Sequence, residues 1–310
     1  MKISFVKTVD ASLASMRYRI LLPMNGLRDL GHEVEIVDTL PDKTDALIFS
    51  KHFNQPRDYK MAIAAKEAGI KVIFDVCDNH YNNQNASYYQ DMTRLADIVT
   101  CNTPIMRETI LSQAAAMAVI VDDPYEMARK EPIFRFDGDR IKVLWYGHSS
   151  NLNTLPALLR GLSQISRKSH LLVVSNARFG VKKEIEKIKI ENAPWSMEVM
   201  DKHLKWADIV AIPTILSDET KRTKSHNRVT EAIMSGKMVV AHPLPSYERY
   251  KPYVWIGEDL ADGFDWVMRD PERNMELIKK GQDFIESTLS PTQIAKQWEI
   301  AINKWSRQLF

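Results

Sequence analysis

The feature that most constrains this chain is an alternation of short apolar runs with longer segments of helical periodicity. In the first half, runs rich in Ile, Val, Phe and Leu predict β-strands at 2–6, 33–37, 46–50, 71–75, 97–101 and 118–122. Apolar residues three and four apart predict helices near 16–30, 57–68, 86–96 and 103–115. This order is typical of a parallel sheet covered by helices on both faces.

The same pattern restarts after residue 140. Strands are predicted at 141–147, 170–175, 197–200, 208–213 and 237–241, and helices at 152–167 and 180–190. The polar segment 122–140 contains two prolines and no clear periodicity, so it is predicted to join two domains. We therefore expect an α/β protein with two doubly wound, Rossmann-like domains, 1–130 and 131–288, and a C-terminal helix within 289–310.

The C-terminal helix has a start signal at Ser290-Pro291. Its apolar stripe falls at helical spacing: Ile294, Trp298, Ile302 and Trp305. Two interpretations are open, in which the helix packs on its own domain or crosses back to the first domain.

Composition is that of an ordinary globular protein, with 45% hydrophobic and 26% charged residues among 310. No apolar run approaches the roughly 20 residues of a membrane span, and the N-terminus resembles a strand more than a signal peptide. Cys77 and Cys101 lie in or beside predicted strands, which favours a reducing, cytoplasmic setting. No Cys or His spacing indicates a metal site.

The net charge of +2 does not indicate a dedicated nucleic-acid-binding domain. Residues 1–135 carry 16 Lys and Arg against 18 Asp and Glu, and the remainder carries 26 against 22. This asymmetry weakly favours an anionic ligand in the second half.

The segment KSHNRVTEAIMSGKMVVA, residues 224–241, predicts a helix followed by a buried strand. Ser225 or Asn227 is expected to cap the helix, and Gly236 to end it. Its buried face comprises Val229, Ala232 and Ile233.

Charged and polar residues gather at the start of this helix. Lys224 and Arg228 add two cations to the partial positive charge of the helix N-terminus, an arrangement that suits a diphosphate. Glu231, expected on the face opposite the core together with Asn227, is placed to accept hydrogen bonds from ribose hydroxyls. The alternative is a solvated helix face with scattered charges.

The stretch VTEAIMSGKMVVA resembles the donor-site segment of GT-B glycosyltransferases, in the large retaining, glutamate-containing family that includes sucrose and glycan synthases. The resemblance implies that Glu231 binds the nucleotide ribose. Thr223 stands where the family usually has a second glutamate, near the sugar. KSHNR replaces the usual glycine-rich loop and is similar to a divergent branch in which Lys224, Asn227 and Arg228 would grip the diphosphate.

Three other segments carry the same resemblance, at 14–37, 143–155 and 205–214. Together they imply a GT-B fold, in which an acceptor domain and a donor domain face a cleft. In that family the loop containing Gly147, His148 and Asn151 touches donor phosphate or sugar.

Polar residues also follow the first predicted strand. If the fold is right, Ser12, Ser15, Arg17 and Arg19 face the ligand and contact acceptor or donor phosphate. The alternative is a surface helix start with ordinary charges.

A second polar group, Asp75, Asp78 and His80, follows the buried strand at 71–75. Asp75 is assigned to acceptor binding, and Asp78 or His80 is expected to act as a base or to orient an acceptor hydroxyl. Loop capping by Asp and Asn is the alternative.

These observations favour an enzyme that moves a sugar from a nucleotide-diphosphate sugar, with UDP favoured, to an acceptor hydroxyl. Lys224 and Arg228 would take the place of a metal, and neither a metal nor a cofactor is expected. The alternative from a different class is a two-domain binding protein that closes on a small ligand without chemistry.

The acceptor is left open between a glycan, a small molecule and a hydroxymethylated DNA base. Compact members of the resembled group occur in bacteriophages, which would place the protein in the host cytoplasm. Lys182, Lys183, Lys187 and Lys189 form a basic patch that is expected to be a solvated helix face.

Overall fold

The computed structural model describes residues 1–7, 14–53, 55–134, 136 and 138–303. These residues form two compact units. Unit 1 contains the described residues within Met1–Glu126, Arg222–Ser225 and Glu286–Phe310, and unit 2 those within Met127–Lys221 and His226–Ile285. The sequence predicted divisions after residues 130 and 288, whereas the units divide after 126 and 285.

The strands are β1 (Lys2–Val6), β2 (Glu33–Val37), β3 (Ala46–Ser50), β4 (Lys71–Val76), β5 (Ile98–Cys101), β6 (Ala118–Ile120), β7 (Arg140–Tyr146), β8 (Lys168–Ser175), β9 (Glu184–Ile185), β10 (Ile188–Pro194), β11 (Ile209–Ile212), β12 (Met238–Ala241) and β13 (Trp255–Ile256). The helices are α1 (Ala14–Met16), α2 (Leu22–Asp29), α3 (Gln55–Glu67), α4 (Ala86–Leu95), α5 (Pro104–Ala114), α6 (Leu155–Gln164), α7 (Met197–Trp206), α8 (Asn227–Met234), α9 (Leu260–Arg269), α10 (Pro271–Leu289) and α11 (Pro291–Asn303).

Unit 1 is built on a parallel sheet with the strand order β2-β1-β3-β4-β5-β6. All six strands predicted in the first half are confirmed, with ends shifted by at most two residues. Every residue of β3 is buried, as expected for a central parallel strand covered by helices on both faces. The carboxyl ends of β3 and β4 therefore present their following loops at one edge of the sheet.

The helical stretch after β1 contains a π-helical turn, Arg17–Leu21, between α1 and α2. A π turn inserts an extra residue into the helix and is often found at a functional site. Here it places Tyr18, Arg19 and Ile20 in the interior of unit 1.

The last helix, α11, packs against α2 of unit 1. A Cβ atom at Gly26 would lie 2.3 Å from the carbonyl oxygen of Pro291, so this close approach requires glycine. Ile294, Trp298 and Ile302 are fully buried, and Trp298 packs edge-on against Phe5. Trp305, the fourth member of the predicted stripe, lies outside the described residues.

Unit 2 is built on a second sheet, with the order β13-β12-β11-β7-β8-β10-β9. Its pairs are parallel, except that β9 and β10 form an antiparallel hairpin. The predicted strands at 141–147, 170–175, 208–213 and 237–241 are confirmed, as is the helix that α6 forms after a 3₁₀ turn at Ser149–Thr154.

Two predictions in unit 2 are wrong. The segment 180–190 is not a helix but contains β9 and the start of β10, where Ile188 and Ile190 are buried and alternate with exposed Lys189 and Glu191. This alternation of buried and exposed residues has the period of a strand and not of a helix. The lysine patch therefore lies on and beside this hairpin, not on a helix face.

The predicted strand at 197–200 is the first turn of α7. Ser196 caps this helix by accepting a hydrogen bond from the Val199 backbone N–H. Met200 and Leu204, four residues apart, form its buried face, so the apolar residues of MEVM belong to a helical pattern that continues to Trp206.

Candidate active site

A buried tyrosine–glutamate pair joins the end of β7 to α8 in unit 2. The Tyr146 hydroxyl donates a hydrogen bond to Glu231 Oε2 at 2.7 Å and lies 3.3 Å from the Arg228 carbonyl oxygen. Glu231 is only 8% exposed, so the helix face opposite Val229 and Ile233 is also buried and is not a solvated surface. Burial, reinforced by the Glu231 carboxylate, raises the pKa of Tyr146 well above its usual value, so the hydroxyl remains a donor.

Arg228 lies beside this pair, half-buried, with its Nη1 atom 3.4 Å from the Tyr146 carbonyl oxygen. Gly147 follows Tyr146, and a Cβ atom there would lie 3.7 Å from Arg228 Nη1. Among the residues that the structure describes, no carboxylate forms an ion pair with Arg228. Its charge therefore remains available to an anion at the start of α8.

The predicted N-terminal cap of α8 differs from the observed one, whereas its C-terminal end is as predicted. His226, not Ser225 or Asn227, is the N-cap residue, and its side chain makes no capping hydrogen bond. Its backbone carbonyl accepts the first helical hydrogen bonds, from the N–H groups of Val229 and Thr230. Gly236 ends the helix as predicted, with a left-handed φ of 73°. A Cβ atom at Gly236 would also lie 2.9 Å from the Glu131 carbonyl oxygen.

The loop after β7 is held by side chains that the sequence reading missed. Asn176, which follows β8, accepts a hydrogen bond from the Ser149 backbone N–H at 2.7 Å, and its Nδ2 atom lies 3.4 Å from His148 Nε2. Lys221 Nζ donates to Asn151 Oδ1 at 2.9 Å. Asn176 had a signal, since it directly follows a predicted strand in a doubly wound domain.

A cleft of about 750 Å³ opens beside this loop, within unit 2. It lies between the carboxyl ends of β8 and β10 and the segment that follows β8, and Asn176 is one of its lining residues. Its volume is within the range of small-molecule sites.

In unit 1, Arg19 and Asp75 form the centre of a buried ionic network. Arg19 is 1% exposed, and its guanidinium donates to both carboxylate oxygens of Asp75, at 2.6 and 3.0 Å, and to Asp123 at 2.8 Å. Asp75 also accepts from the hydroxyls of Ser50 and Thr100, both at 2.7 Å. Both side chains are fully buried, so acceptor binding by Arg19 and Asp75 stays a prediction that their position in this network does not support.

A second cluster in unit 1 contains the predicted catalytic residues Asp78 and His80. Asp78 accepts from Lys224 Nζ at 2.6 Å and from Lys51 Nζ, and Lys51 Nζ also lies 3.2 Å from His80 Nε2. Despite burial, the two lysine ammonium groups hold the pKa of Asp78 far below its usual range. Burial and Lys51 lower the pKa of His80 to about 4. Asp78 is thus a fixed anion, and His80 is a neutral imidazole at pH 7.

The structure brings together only part of the predicted site. Gly147, His148, Asn151, Asn227, Arg228 and Glu231 all belong to unit 2, whereas Lys224 belongs to unit 1 with Asp78. Near the start of the chain, Ser15 is half-buried and Arg17 pairs with Glu126 at 2.8 Å. Ser12 lies outside the described residues.

The described residues show neither a metal-binding cluster nor a helix that could span a membrane. They contain no group of three or more His, Cys, Asp and Glu side chains arranged to hold a metal ion. None of the helices they form combines the length and apolar character needed to cross a membrane.

Comparison with solved structures shows the fold. HepE from Anabaena, in complex with UDP and glucose, superposes with a TM-score of 0.73 at 14% identity, covering 98% of this chain and 100% of that one. A glycosyltransferase from Rickettsia africae gives a TM-score of 0.73 at 11% identity, covering 99% of each chain. No protein-family model and no curated protein matches the sequence.

A third similar structure is an alpha-glucosyltransferase in complex with UDP and a 13-mer DNA containing a HMU base. Its TM-score is 0.67 at 10% identity, covering 98% of this chain and 99% of that one. The chain therefore has the two-sheet α/β fold of GT-B glycosyltransferases.

Proposed function

We propose that this protein is a glycosyltransferase that moves a sugar from a nucleotide-diphosphate sugar, with UDP favoured, to an acceptor hydroxyl. The observation that carries the proposal is the buried Tyr146–Glu231 pair beside a partly exposed Arg228, at the start of α8. Support for UDP comes from HepE and the alpha-glucosyltransferase, whose structures contain it. The motif at 229–241 supports membership of the retaining, glutamate-containing family.

In this proposal the donor binds unit 2. Glu231, oriented by Tyr146, accepts hydrogen bonds from ribose hydroxyls, and Arg228 and Asn227 hold the diphosphate at the start of α8. The loop with Gly147, His148 and Asn151 completes the phosphate and sugar contacts, and the neighbouring cleft receives the base.

The reaction breaks the bond between the sugar and the diphosphate, and the electron pair stays on the diphosphate oxygen. A new bond forms between the sugar carbon and the acceptor oxygen, so the products are the glycoside, the nucleoside diphosphate and one proton. Arg228 stabilises the charge that develops on the leaving diphosphate. Lys224 as a second diphosphate ligand stays a prediction, since its ammonium pairs with Asp78 here.

The acceptor residues belong to unit 1. We assign Asp78 and His80 to orienting the acceptor hydroxyl and not to removing its proton, because their low pKa values make both weak bases at pH 7. Ser15 and Arg17 remain candidates for acceptor contact. A glycan, a small molecule and a hydroxymethylated DNA base each carry a hydroxyl that could accept the sugar. We also propose a bacteriophage origin and a cytoplasmic setting.

The test combines binding with turnover. UDP should raise the melting temperature of the protein more than GDP does, because a ligand that binds only the folded state stabilises it. UDP-sugars should then be hydrolysed slowly without acceptor, and EDTA should not stop turnover. A two-domain binding protein would bind its ligand without releasing UDP, and loss of turnover in EDTA would refute metal independence.

A further inference from the structure

An exposed aromatic ring stands beside the ionic cluster of unit 1. Phe53 follows β3 and is 40% exposed. Its ring meets His80 edge-on, with centroids 5.0 Å apart, and lies 5.8 Å from the ring of Tyr89. Tyr89 is buried and packs against Phe74, so Phe53 stands on a rigid aromatic base. A ring held in this way offers a preorganised face to a ligand.

The backbone after β3 turns sharply to present this ring. Lys51 has a left-handed φ of 57°, which is unusual for a residue with a Cβ atom. Its ammonium is held by Asp78 and lies 5.6 Å from the Phe53 centroid. The ion pair therefore anchors the Lys51 side chain at the turn that precedes Phe53.

An amide-rich loop follows β4 and is linked to the Phe53 ring through His80, which contacts both Phe53 and Asn83. Residues 78–85 read DNHYNNQN, in which Asn83 contacts the His80 ring at 2.9 Å and accepts from the Asn85 backbone N–H. The side chains of Asn82 and Gln84 are exposed and make no hydrogen bond to the described part of the chain. A carboxamide both donates and accepts, which matches a sugar hydroxyl, since a hydroxyl does the same.

The charges around Phe53 do not favour a polyanion. Lys51 and Lys224 share the single Asp78 carboxylate, so one of their two positive charges is neutralised locally. The first 135 residues also carry more acidic than basic residues. A DNA backbone is bound through several unneutralised cations, whereas the described Lys51–Asp78–Lys224 cluster has a net charge of only +1.

We propose that the acceptor is a neutral saccharide, which stacks a sugar ring on Phe53 and hydrogen-bonds to Asn82 and Gln84. This inference rests on the proposed glycosyltransferase function and names the acceptor class and its recognition residues. Sugar C–H groups carry partial positive charge and are attracted to the negative face of an aromatic ring, while the amides fix the hydroxyl pattern.

The experiment measures binding of a panel of methyl glycosides and neutral disaccharides by saturation-transfer NMR, with and without UDP. At least one saccharide should bind, with its ring C–H protons closest to the protein. Phe53→Ala should weaken that binding about tenfold, and Phe53→Tyr should retain it. Leu111→Ala is the matched control, because Leu111 is a comparably exposed residue, on α5 of the same unit.

Several results would overturn the inference. One is a protein that binds UDP but no saccharide of the panel, and another is equal saccharide affinity in Phe53→Ala and Leu111→Ala. A third is transfer only to an oligonucleotide with hydroxymethylated bases, with affinity that falls steeply with salt. Failure to bind UDP would instead refute the proposed function. In that case, saccharide binding compared between the wild type and Phe53→Ala would still show whether Phe53 contacts the sugar.

Discussion

Arg19 of unit 1 follows β1, and Arg228 of unit 2 lies beside the end of β7, the first strand of its unit along the chain. The two arginines differ in burial and in the charge of their partners. Arg19 is buried against the carboxylates of Asp75 and Asp123. Arg228 is partly exposed, and its guanidinium lies near a backbone carbonyl oxygen of Tyr146. The charge of Arg19 is neutralised by carboxylates inside the protein, whereas the charge of Arg228 is available to a ligand.

This contrast shows why residue type and strand-end position do not identify a binding arginine. Both residues satisfied the same sequence rule, since a ligand site in a doubly wound domain lies at the carboxyl ends of strands. Only the three-dimensional partners separate a stabilising cation from one that can bind an anion.

The largest expected effect is on stability, from Arg19→Met. The substitution leaves Asp75 and Asp123 buried without their cation, so the free energy of unfolding should fall by about 3–5 kcal/mol. Urea denaturation measures the loss, with Arg94→Ala as control, because Arg94 forms an exposed pair with Asp91 that should contribute less than about 1 kcal/mol. UDP affinity of the folded fraction should not change, and equal stability of the two variants would contradict the buried network.

Arg228→Ala should do the reverse and spare stability while lowering kcat. A leaving diphosphate gains charge as the glycosidic bond breaks, so the loss of one preorganised cation should lower kcat by about 10²-fold. Arg228→Lys should recover only part, because an ammonium cannot make a planar bidentate contact. Steady-state kinetics decide, with the exposed Arg160→Ala as control in the same unit. An unchanged kcat would show that the start of α8 is a solvated surface.

Most of the fold was predictable because buried parallel strands leave continuous apolar runs in the sequence. β1, β2 and β3 match their predicted ranges, whereas 180–190 and 197–200 failed because short segments fit both periods. For the candidate site, the sequence predicted which residues lie at the ends of strands, but not which of their side chains contact one another. Tyr146 and Glu231 are 85 residues apart in the sequence, and Lys51 and Asp78 are 27 apart. A local sequence pattern cannot predict contacts between residues so far apart.

Glu231→Ala should weaken UDP binding by about 1.5–3 kcal/mol, the scale for hydrogen bonds to a charged group. Because the structure buries Glu231 against the Tyr146 hydroxyl, the variant should also lose some stability, so isothermal titration must be paired with thermal unfolding. Tyr146→Phe keeps the carboxylate and removes the hydroxyl that orients it, so its loss of affinity should be smaller. If Glu231→Gln, which keeps the shape, binds UDP as the wild type does, the carboxylate does not bind the ribose.

The last prediction is a pH dependence of stability that separates His80 of unit 1 from the donor site. Its pKa is lowered to about 4 by burial and by Lys51, whereas an unfolded histidine titrates near 6.5. Between these values the unfolded chain binds a proton that the folded chain does not, so the free energy of unfolding should fall as the pH falls from 6.5 toward 4. His80→Gln should reduce that slope without removing it, because burial also lowers the pKa of His170 and His203. Urea midpoints at pH 7, 5.5 and 4.5, with an NMR titration of the His80 ring, measure both quantities. The prediction would be contradicted by a His80 signal that titrates near 6.5 together with equal slopes in the two proteins. Lys51 and the neighbouring aromatic rings would then not hold His80 as the structure shows. The rigid support proposed for Phe53 would be refuted as well.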